Sequence, residues 1–550
     1  MRIAISGLIE AAGGTQRMLR ALGSYLLSAA AIVGAWAWLG AEIAMPQAPI
    51  TDNDKLYCVS YAPFRGGQTP LDRSTQIDPH QMEEDLVRLK AITDCVRTYS
   101  NDFNLDLLPG IARRHGLKVI QGLWLSGHAD RNQVQIDTAI RLANTYPDVI
   151  RALVVGNEAL LRGEIAAADL ARTISRVKAQ VPVPVTYADV WEFWLRHREL
   201  AGVVDFVTVH ILPYWEDFPI EADRAAAHVD SIRKKVAAAF PGKDVLIGET
   251  GWPSQGRMRE GASPSSANQA RVLHEVLALA QRGNYRVNLI EAFDQPWKRF
   301  LEGTVGGYWG LYDDRTRQPK FGWGAAVSNH PYWRWQAAGG VVLAALVFLA
   351  AWLAAQSHKH VPARRVWLGA GLGATAAGIC VSLAVENMLI QALGVGGWLR
   401  SLALVAAASL APLAATSALG SRTALPAFSD LLGHAQMRVK QPIALACGWL
   451  CLAVTVLALQ AALGLTFDPR YRDFPYAALT AAAVPLLILK FLVPHPAGPG
   501  AAETLAAATL MLCAVYIAFN EGFANWQSLW FCAALGLVAV ILRRGRDVPG

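Results

Sequence analysis

Between residues 50 and 330, short apolar runs alternate with longer stretches that carry apolar residues on one helical face. Beyond residue 335 the pattern changes, and Ala, Leu, Val and Gly run on with few charges between them. In the first region the runs predict strands at Leu56–Tyr61, Cys95–Tyr99, Leu117–Leu123, Ile150–Gly156, Val183–Tyr187, Phe206–Ile211, Val245–Gly248 and Val287–Phe293. Amphipathic stretches predict helices at Pro79–Ala91, with Asp78 as its cap, and at Leu105–His115, Gln133–Tyr146, Ala166–Gln180, Ile220–Phe240 and Ser265–Arg282. Eight strands separated by helices over about 275 residues match a (β/α)8 barrel in count and size. The fold class expected is therefore α/β, a TIM barrel, joined to an all-α multi-span transmembrane domain.

A barrel of this kind carries its chemistry at the C-terminal ends of its strands. Two apolar runs end there on a carboxylate. Ala152-Leu153-Val154-Val155-Gly156-Asn157 leads to Glu158, and Val245-Leu246-Ile247-Gly248 leads to Glu249, followed by Thr250-Gly251-Trp252-Pro253. Paired carboxylates on one face are what glycoside cleavage needs. One gives a proton to the leaving oxygen, and the other attacks or stabilises the sugar cation. Trp252 and Trp297 follow strand ends and offer flat apolar faces for sugar rings. Trp124, Trp191, Trp194, Trp215 and Trp309 also fall in this region, and some of them must be core.

Composition supports the division in two. The 550 residues are 53% hydrophobic and 17% charged, too apolar for a wholly soluble chain. Residues 1–20 read as a cytoplasmic segment and residues 21–44 as a transmembrane helix or signal anchor, preceded by Arg2, Arg17 and Arg20. A cleaved signal peptide is the alternative; the long leading segment, with Trp36 and Trp38, favours an anchor. Residues 50–330 form the barrel and residues 335–545 a domain of about seven helices. Those spans are expected near 335–356, 366–385, 399–420, 442–464, 476–493, 503–520 and 527–543.

Eight spans from a cytoplasmic N-terminus put three basic segments in the cytoplasm. These hold Lys359, Arg364 and Arg365; Arg422, Arg438 and Lys440; and Arg543, Arg544 and Arg546. Arg470 and Arg472 fall mildly on the wrong side. Glu386, Arg400 and Lys490 lie near span ends and are expected to reach the interface. The barrel then lies outside the cytoplasm. The expected location is the bacterial inner membrane, multi-pass, with the barrel in the periplasm and the lipid bilayer as a partner.

The net charge of +7 does not indicate nucleic acid, because no basic patch interleaves with exposed aromatics. No His/Cys cluster suggests a metal, and no cofactor is expected. Five of the seven cysteines fall in the apolar half. Cys58 and Cys95 fall on neighbouring strands. A disulfide is open to them there, but if Tyr61 points inward, Cys58 points outward, which favours two thiols. Arg97 and Tyr99 are expected to face inward with Cys95.

The Glu249 segment resembles the signature of glycoside hydrolase family 17, and Gly156-Asn157-Glu158 is similar to that family's acid/base motif. Ala159-Leu160-Leu161-Arg162-Gly163-Glu164 resembles its microbial branch. The likeness covers residues 55 to 325. The whole chain resembles bacterial membrane proteins often labelled β-1,6-glucan synthases. The resemblance implies a retaining enzyme, with Glu158 as acid/base and Glu249 as nucleophile. It further implies Asn157 on the sugar 2-hydroxyl, Tyr214 close to the nucleophile, and Tyr61, Arg97 and Tyr99 on the pocket floor. His210 and Leu212 stand where plant members have Asn and Tyr. In Phe293-Asp294-Gln295-Pro296-Trp297-Lys298, Gln295 replaces a glutamate of the plant enzymes while Lys298 is kept; Asp294, Trp297 and Lys298 are candidate substrate contacts.

The activity implied is hydrolysis of, or transfer within, β-1,3-glucan, with β-1,6 branching as one form of transfer and a neighbouring glucan synthase as a partner. Glu158 must start protonated, so its pKa is expected to be raised by anionic Glu249. A nucleotide-sugar synthase would need a cytoplasmic domain with clustered Asp residues. The cytoplasmic loops are too short for one, and Asp52-Asn53-Asp54 precedes the barrel. A glucan-binding or export component without catalysis is the alternative from a different class.

Overall fold

The computed structural model describes residues 2–50, 54–357, 364–432, 441–493 and 500–543, with backbone only for residues 2–17. Lys359, Arg438, Lys440, Arg544, Arg546, Asp52, Asn53 and the side chains of Arg2 and Arg17 lie outside the described residues. Two compact units emerge: Glu42–Val327, and Met1–Ala41 with Ser328–Gly550.

The first unit is a closed parallel barrel of eight strands in sequence order. They are β1 (Cys58–Ser60), β2 (Cys95–Arg97), β3 (Lys118–Leu123), β4 (Ile150–Asn157), β5 (Val185–Val190), β6 (Val207–His210), β7 (Val245–Thr250) and β8 (Arg286–Leu289). β1 closes the ring on β8 through Cys58↔Asn288 and Val59↔Leu289. After α1 (Arg2–Leu39) of the other unit come the barrel helices: α2 (Pro79–Leu89), α3 (Leu108–His115), α4 (Ala129–Thr145), α5 (Ala167–Lys178), α6 (Trp191–Arg196), α7 (Ala222–Ala239) and α8 (Ser266–Gly283). Of these seven, the short α6 is the one that periodicity does not reveal.

Local chemistry sets the helix ends. Asp78 accepts from His80 N at 2.9 Å ahead of Pro79 in α2, and Ser265 accepts from Asn268 N at 3.1 Å ahead of α8. α3 stops at Gly116, whose φ of 71° suits glycine.

Alternation along the strands divides the core. Val59, Val96, Val119, Leu153, Val207 and Ile247 pack outward under the helices. Cys58, Cys95, Ile120, Val154, Ala188 and Leu246 fill the barrel interior. Truncating a fully buried residue such as Leu153 to Ala costs roughly 2–5 kcal/mol.

The interior layer corrects the thiol expectation. Cys58 and Cys95 form a disulfide. The error lies in the side assigned to Tyr61. Its hydroxyl points outward, donating to Asp85 Oδ2 of α2 at 3.0 Å, so Cys58, three residues earlier, points in beside Cys95.

The second unit contains α1 and, after a short α9 (Arg299–Glu302) in the barrel unit, α10 (Trp333–Ser357), α11 (Arg364–Gln391), α12 (Gly394–Ser421), α13 (Phe428–Leu432), α14 (Pro442–Phe467), α15 (Tyr476–Leu492), α16 (Ala501–Glu521) and α17 (Trp526–Leu542). Among the described residues, six helices are long and apolar enough to cross a membrane: Met18–Leu39 of α1, and α10, α11, α12, α14 and α16. The other two expected spans, α15 and α17, are apolar but have 17 residues each, short of the about 20 that a span needs. Glycines let α1, α10 and α11 approach closely. A Cβ on Gly340 would lie 2.4 Å from Gly378 O and 2.9 Å from Ile32 Cγ2. Glu386 pairs with His330 Nδ1 at 2.9 Å.

Candidate active site

Register shifts interrupt the ladders close to the C-terminal strand ends. They fall between Val154 and Asn157 on β4, between Val209 and His210 on β6, and between Ile247 and Thr250 on β7. Such bulges re-aim side chains, and Asn157, His210 and Glu249 are the side chains concerned. Just beyond β4, Glu158 adopts φ 51°, a left-handed conformation uncommon for a non-glycine residue. Its amide is tied to Ala188 O at 2.8 Å. Two groups on β5 hold the following turn: Tyr187 Oη accepts from Leu160 N at 3.0 Å, and Asp189 accepts from Leu161 N at 3.3 Å. Arg162 donates to Asn157 O and, at 2.7 Å, to Leu125 O, with its guanidinium 4.1 Å from the Trp124 ring centre.

Arg97 at the end of β2 organises the floor. Its side chain is 1% exposed. Nη1 donates to Gly248 O at 2.9 Å and to Glu249 Oε1 at 2.8 Å, while Nη2 donates to Asn157 Oδ1 at 2.6 Å. Its guanidinium lies 4.9 Å from the ring centre of Tyr99. One cation thus fixes the strand-seven carboxylate and the strand-four amide. His210 Nδ1 lies 2.7 Å from Glu158 Oε1, and Nε2 lies 3.5 Å from Glu249 Oε1. Oxygens of Glu158 and Glu249 and a nitrogen of His210 all lie within 4.8 Å of one another. These three also have the donor types of a metal site. Arg97 already supplies a positive charge to Glu249, which works against a second cation there.

The raised pKa expected for Glu158 is corrected. Burial pushes it up, but the hydrogen bond and charge of His210, with the charges of Arg97 and Arg162, outweigh burial and hold it below the ordinary value. Tyr99 is raised well above its ordinary value, chiefly by burial and then by the charge of Glu249.

The remaining candidates divide by surroundings. Tyr61 sits against α2 and not on the pocket floor. Trp252 is 0% exposed, donates Nε1 to Ser263 O at 3.1 Å and meets Tyr214 edge-on, so its faces are covered in packing. Tyr214 is buried in the same aromatic cluster, with Trp215 and Trp309, and donates to Arg257 O at 2.9 Å. Asp294 is buried; its Oδ1 accepts from Lys320 at 2.6 Å and from Gly310 N at 2.8 Å, and burial raises its pKa to about 7 against the pull of Lys320. Trp297 is half-buried, edge-on to Phe64, with Nε1 donating to Gln295 Oε1 at 2.7 Å.

Lys298 has a partner that the sequence reading passes over. Glu291, seven residues upstream, accepts from Lys298 at 2.7 Å and is 0% exposed. Burial raises Glu291 to about 7; Lys298 opposes this, and the charges of Glu302 and Glu249 add to it. Glu302 in α9 is also raised, by burial first and then by the charges of Glu158 and Glu249, so it too belongs to this electrostatic neighbourhood. The available signal was i, i+7 spacing of opposite charges across a strand-to-helix turn, which has no regular period.

Residues 58–310 match the family described as the BtgE/BtgC glycoside hydrolase domain. Over 262 residues the chain is 31% identical to the probable beta-glucosidase btgE of Aspergillus fumigatus, covering 46% of this chain and 45% of that protein. It thus spans less than half the length of that relative. It is 29% identical to a glucan 1,3-beta-glucosidase of Arthroderma benhamiae, covering 44% of this chain and 84% of that one. A crystal structure of a glycoside hydrolase family 17 beta-1,3-glucanosyltransferase from Rhizomucor miehei is 28% identical with a TM-score of 0.43, covering 48% of this chain and 95% of that one.

Proposed function

We propose that the barrel unit is a glycoside hydrolase domain of the family 17 type and that the chain is a membrane-anchored retaining enzyme of β-1,3-glucan. The observation that carries the reading is the spacing of Glu158 and Glu249. A carboxylate oxygen of each lies within 4.8 Å of the other, which accommodates the about 5–5.5 Å between carboxyls of retaining enzymes.

Glu249, paired with Arg97 at 2.8 Å, attacks the anomeric carbon. Glu158 gives its proton to the glycosidic oxygen as the carbon–oxygen bond breaks. A glycosyl ester on Glu249 forms, and Glu158, now a carboxylate, takes a proton from the incoming water or sugar hydroxyl. Asn157, oriented by Arg97, is suited to the 2-hydroxyl.

The relative named glucan 1,3-beta-glucosidase supports β-1,3-glucan as the substrate class. The six long apolar helices support membrane attachment. The Cys58–Cys95 disulfide supports an oxidising compartment, such as the periplasm, for the barrel. A barrel tethered to so many helices suits remodelling of a polymer made or exported nearby, which favours transfer over release of free sugar. The test is mass spectrometry of products from one length of β-1,3-oligosaccharide incubated with the full chain in detergent. Longer products support transfer, shorter ones alone support hydrolysis, and no conversion leaves a glucan-binding component.

A further inference from the structure

His210 stands between the two carboxylates. On one side Nδ1 is 2.7 Å from Glu158 Oε1; on the other Nε2 is 3.5 Å from Glu249 Oε1 and 3.4 Å from Arg97 Nη2. The ring is fully buried on β6. Room for it is built into the neighbouring strand. A Cβ on Gly248 would lie 2.4 Å from Thr208 Cγ2, 3.2 Å from His210 Cδ2 and 3.4 Å from Nε2. The charged groups that face the ring come from four strands: Arg97 on β2, Glu158 after β4, Asp189 on β5 and Glu249 on β7.

We infer that His210 is a positioning residue that stores the proton Glu158 delivers, so that the pair, and not Glu158 alone, is the acid of the reaction. The inference rests on the retaining reading above. In the resting site the imidazolium donates Nδ1–H to the Glu158 carboxylate. When the glycosidic oxygen arrives, that proton crosses the 2.7 Å contact to Oε1. The imidazole is left neutral, and Glu158 passes the proton to the leaving oxygen. After deglycosylation the proton taken from water or acceptor returns to Nδ1. One proton enters and one leaves, and no other reactant is needed. The arrangement reconciles two demands: a carboxyl held low by its surroundings, and an acid that must be charged with a proton at neutral pH.

The test compares the full chain with H210N and H210Q, whose amides can hold a hydrogen bond to Glu158 but cannot carry the proton. The alkaline limb of kcat/KM on laminari-oligosaccharides should move down by about one pH unit or more, giving about a tenfold or greater loss at pH 8 and much less at pH 5. A dinitrophenyl β-glucoside, whose leaving group needs no proton, should be affected far less, which also reports that the variant is folded. An unmoved limb, or equal losses on both substrates at every pH, overturns the assignment and leaves His210 as a structural residue. If the wild-type chain turns over no β-glucoside at all, the retaining reading fails and takes this inference with it. Turnover with an unmoved limb sinks the inference alone.

Discussion

Arg97 and Glu249 form a buried ion pair at 2.8 Å, and the same guanidinium also holds Gly248 O and Asn157. The pair joins β2 to β7 across the barrel. Lysine offers a point charge in place of a planar fork, so R97K cannot serve all three acceptors. We expect R97K to lower kcat/KM by about a hundredfold or more. R97A should cost about 3–5 kcal/mol of stability, because Glu249 is left buried and uncompensated. Thermal unfolding of R97A, E249A and the double variant checks this: the double should cost clearly less than the sum of the two. Additive costs would mean the two side chains do not depend on each other.

E158A should lose about a hundredfold to ten-thousandfold in turnover of oligosaccharides. With a dinitrophenyl β-glucoside, added azide should restore turnover and yield a β-glycosyl azide, since azide needs no base to attack the glycosyl ester. E249A should form no such product. An α-configured azide from E158A, or undiminished turnover by E249A, would contradict the roles given to the two residues.

The bridge between Cys58 and Cys95 closes a sequence separation of 37, worth about 4 kcal/mol by loop entropy. Peptide mapping of the full chain, trapped with a thiol reagent during lysis, should recover the two residues as one cross-linked peptide. C58A/C95A should melt at a lower temperature. Free thiols at both positions would argue that the barrel faces a reducing compartment.

Burial raises Asp294 from 3.8 to about 7 against the pull of Lys320. The folded chain therefore holds that proton more tightly than the unfolded chain. Its contribution to stability is fully present below about pH 4 and is lost as pH rises through about 7. D294N should flatten this part of the melting temperature profile. Glu291, at about 7, titrates in the same window, so a smaller slope should remain. A D294N profile parallel to that of the wild-type chain would refute the shift.

Trp297 is half-buried, whereas Trp252 is packed away. If it offers a face to an incoming sugar, W297A should raise the ratio of hydrolysis to transfer while sparing donor cleavage. Product ratios from a single-length β-1,3-oligosaccharide measure it, and an unchanged ratio removes Trp297 from acceptor binding.

Sequence alone reaches the barrel because a strand buried on both faces is a short apolar run, and a covering helix has a regular apolar stripe. It reaches Glu158 and Glu249 because each ends such a run at a break in the pattern. Side-chain direction is harder. Tyr61 keeps the alternation of β1, but nothing in the run says which parity faces in, and an inward Tyr61 reverses Cys58. Trp252 carries the signal of a stacking residue, yet depth decides its role, and depth comes from Tyr214 of the loop after β6 and from Ser263 further along its own loop. The Lys298–Glu291 pair and the His210 bridge depend on bulges and turns that leave no period in the chain.

Ile43 and Val327, at the two ends of the barrel unit, exchange a pair of backbone hydrogen bonds, each 2.9 Å long. The chain therefore enters and leaves the barrel at one doorway. A unit clasped in this way behaves as a cassette: it can be lengthened, exchanged or lost without re-routing what precedes and follows it. The same doorway imposes an order on synthesis. α1 must wait through the whole barrel before α10, which packs in the same apolar cluster, emerges to meet it. Deleting the cassette and joining its two ends with a short turn should leave those helices free to find each other sooner.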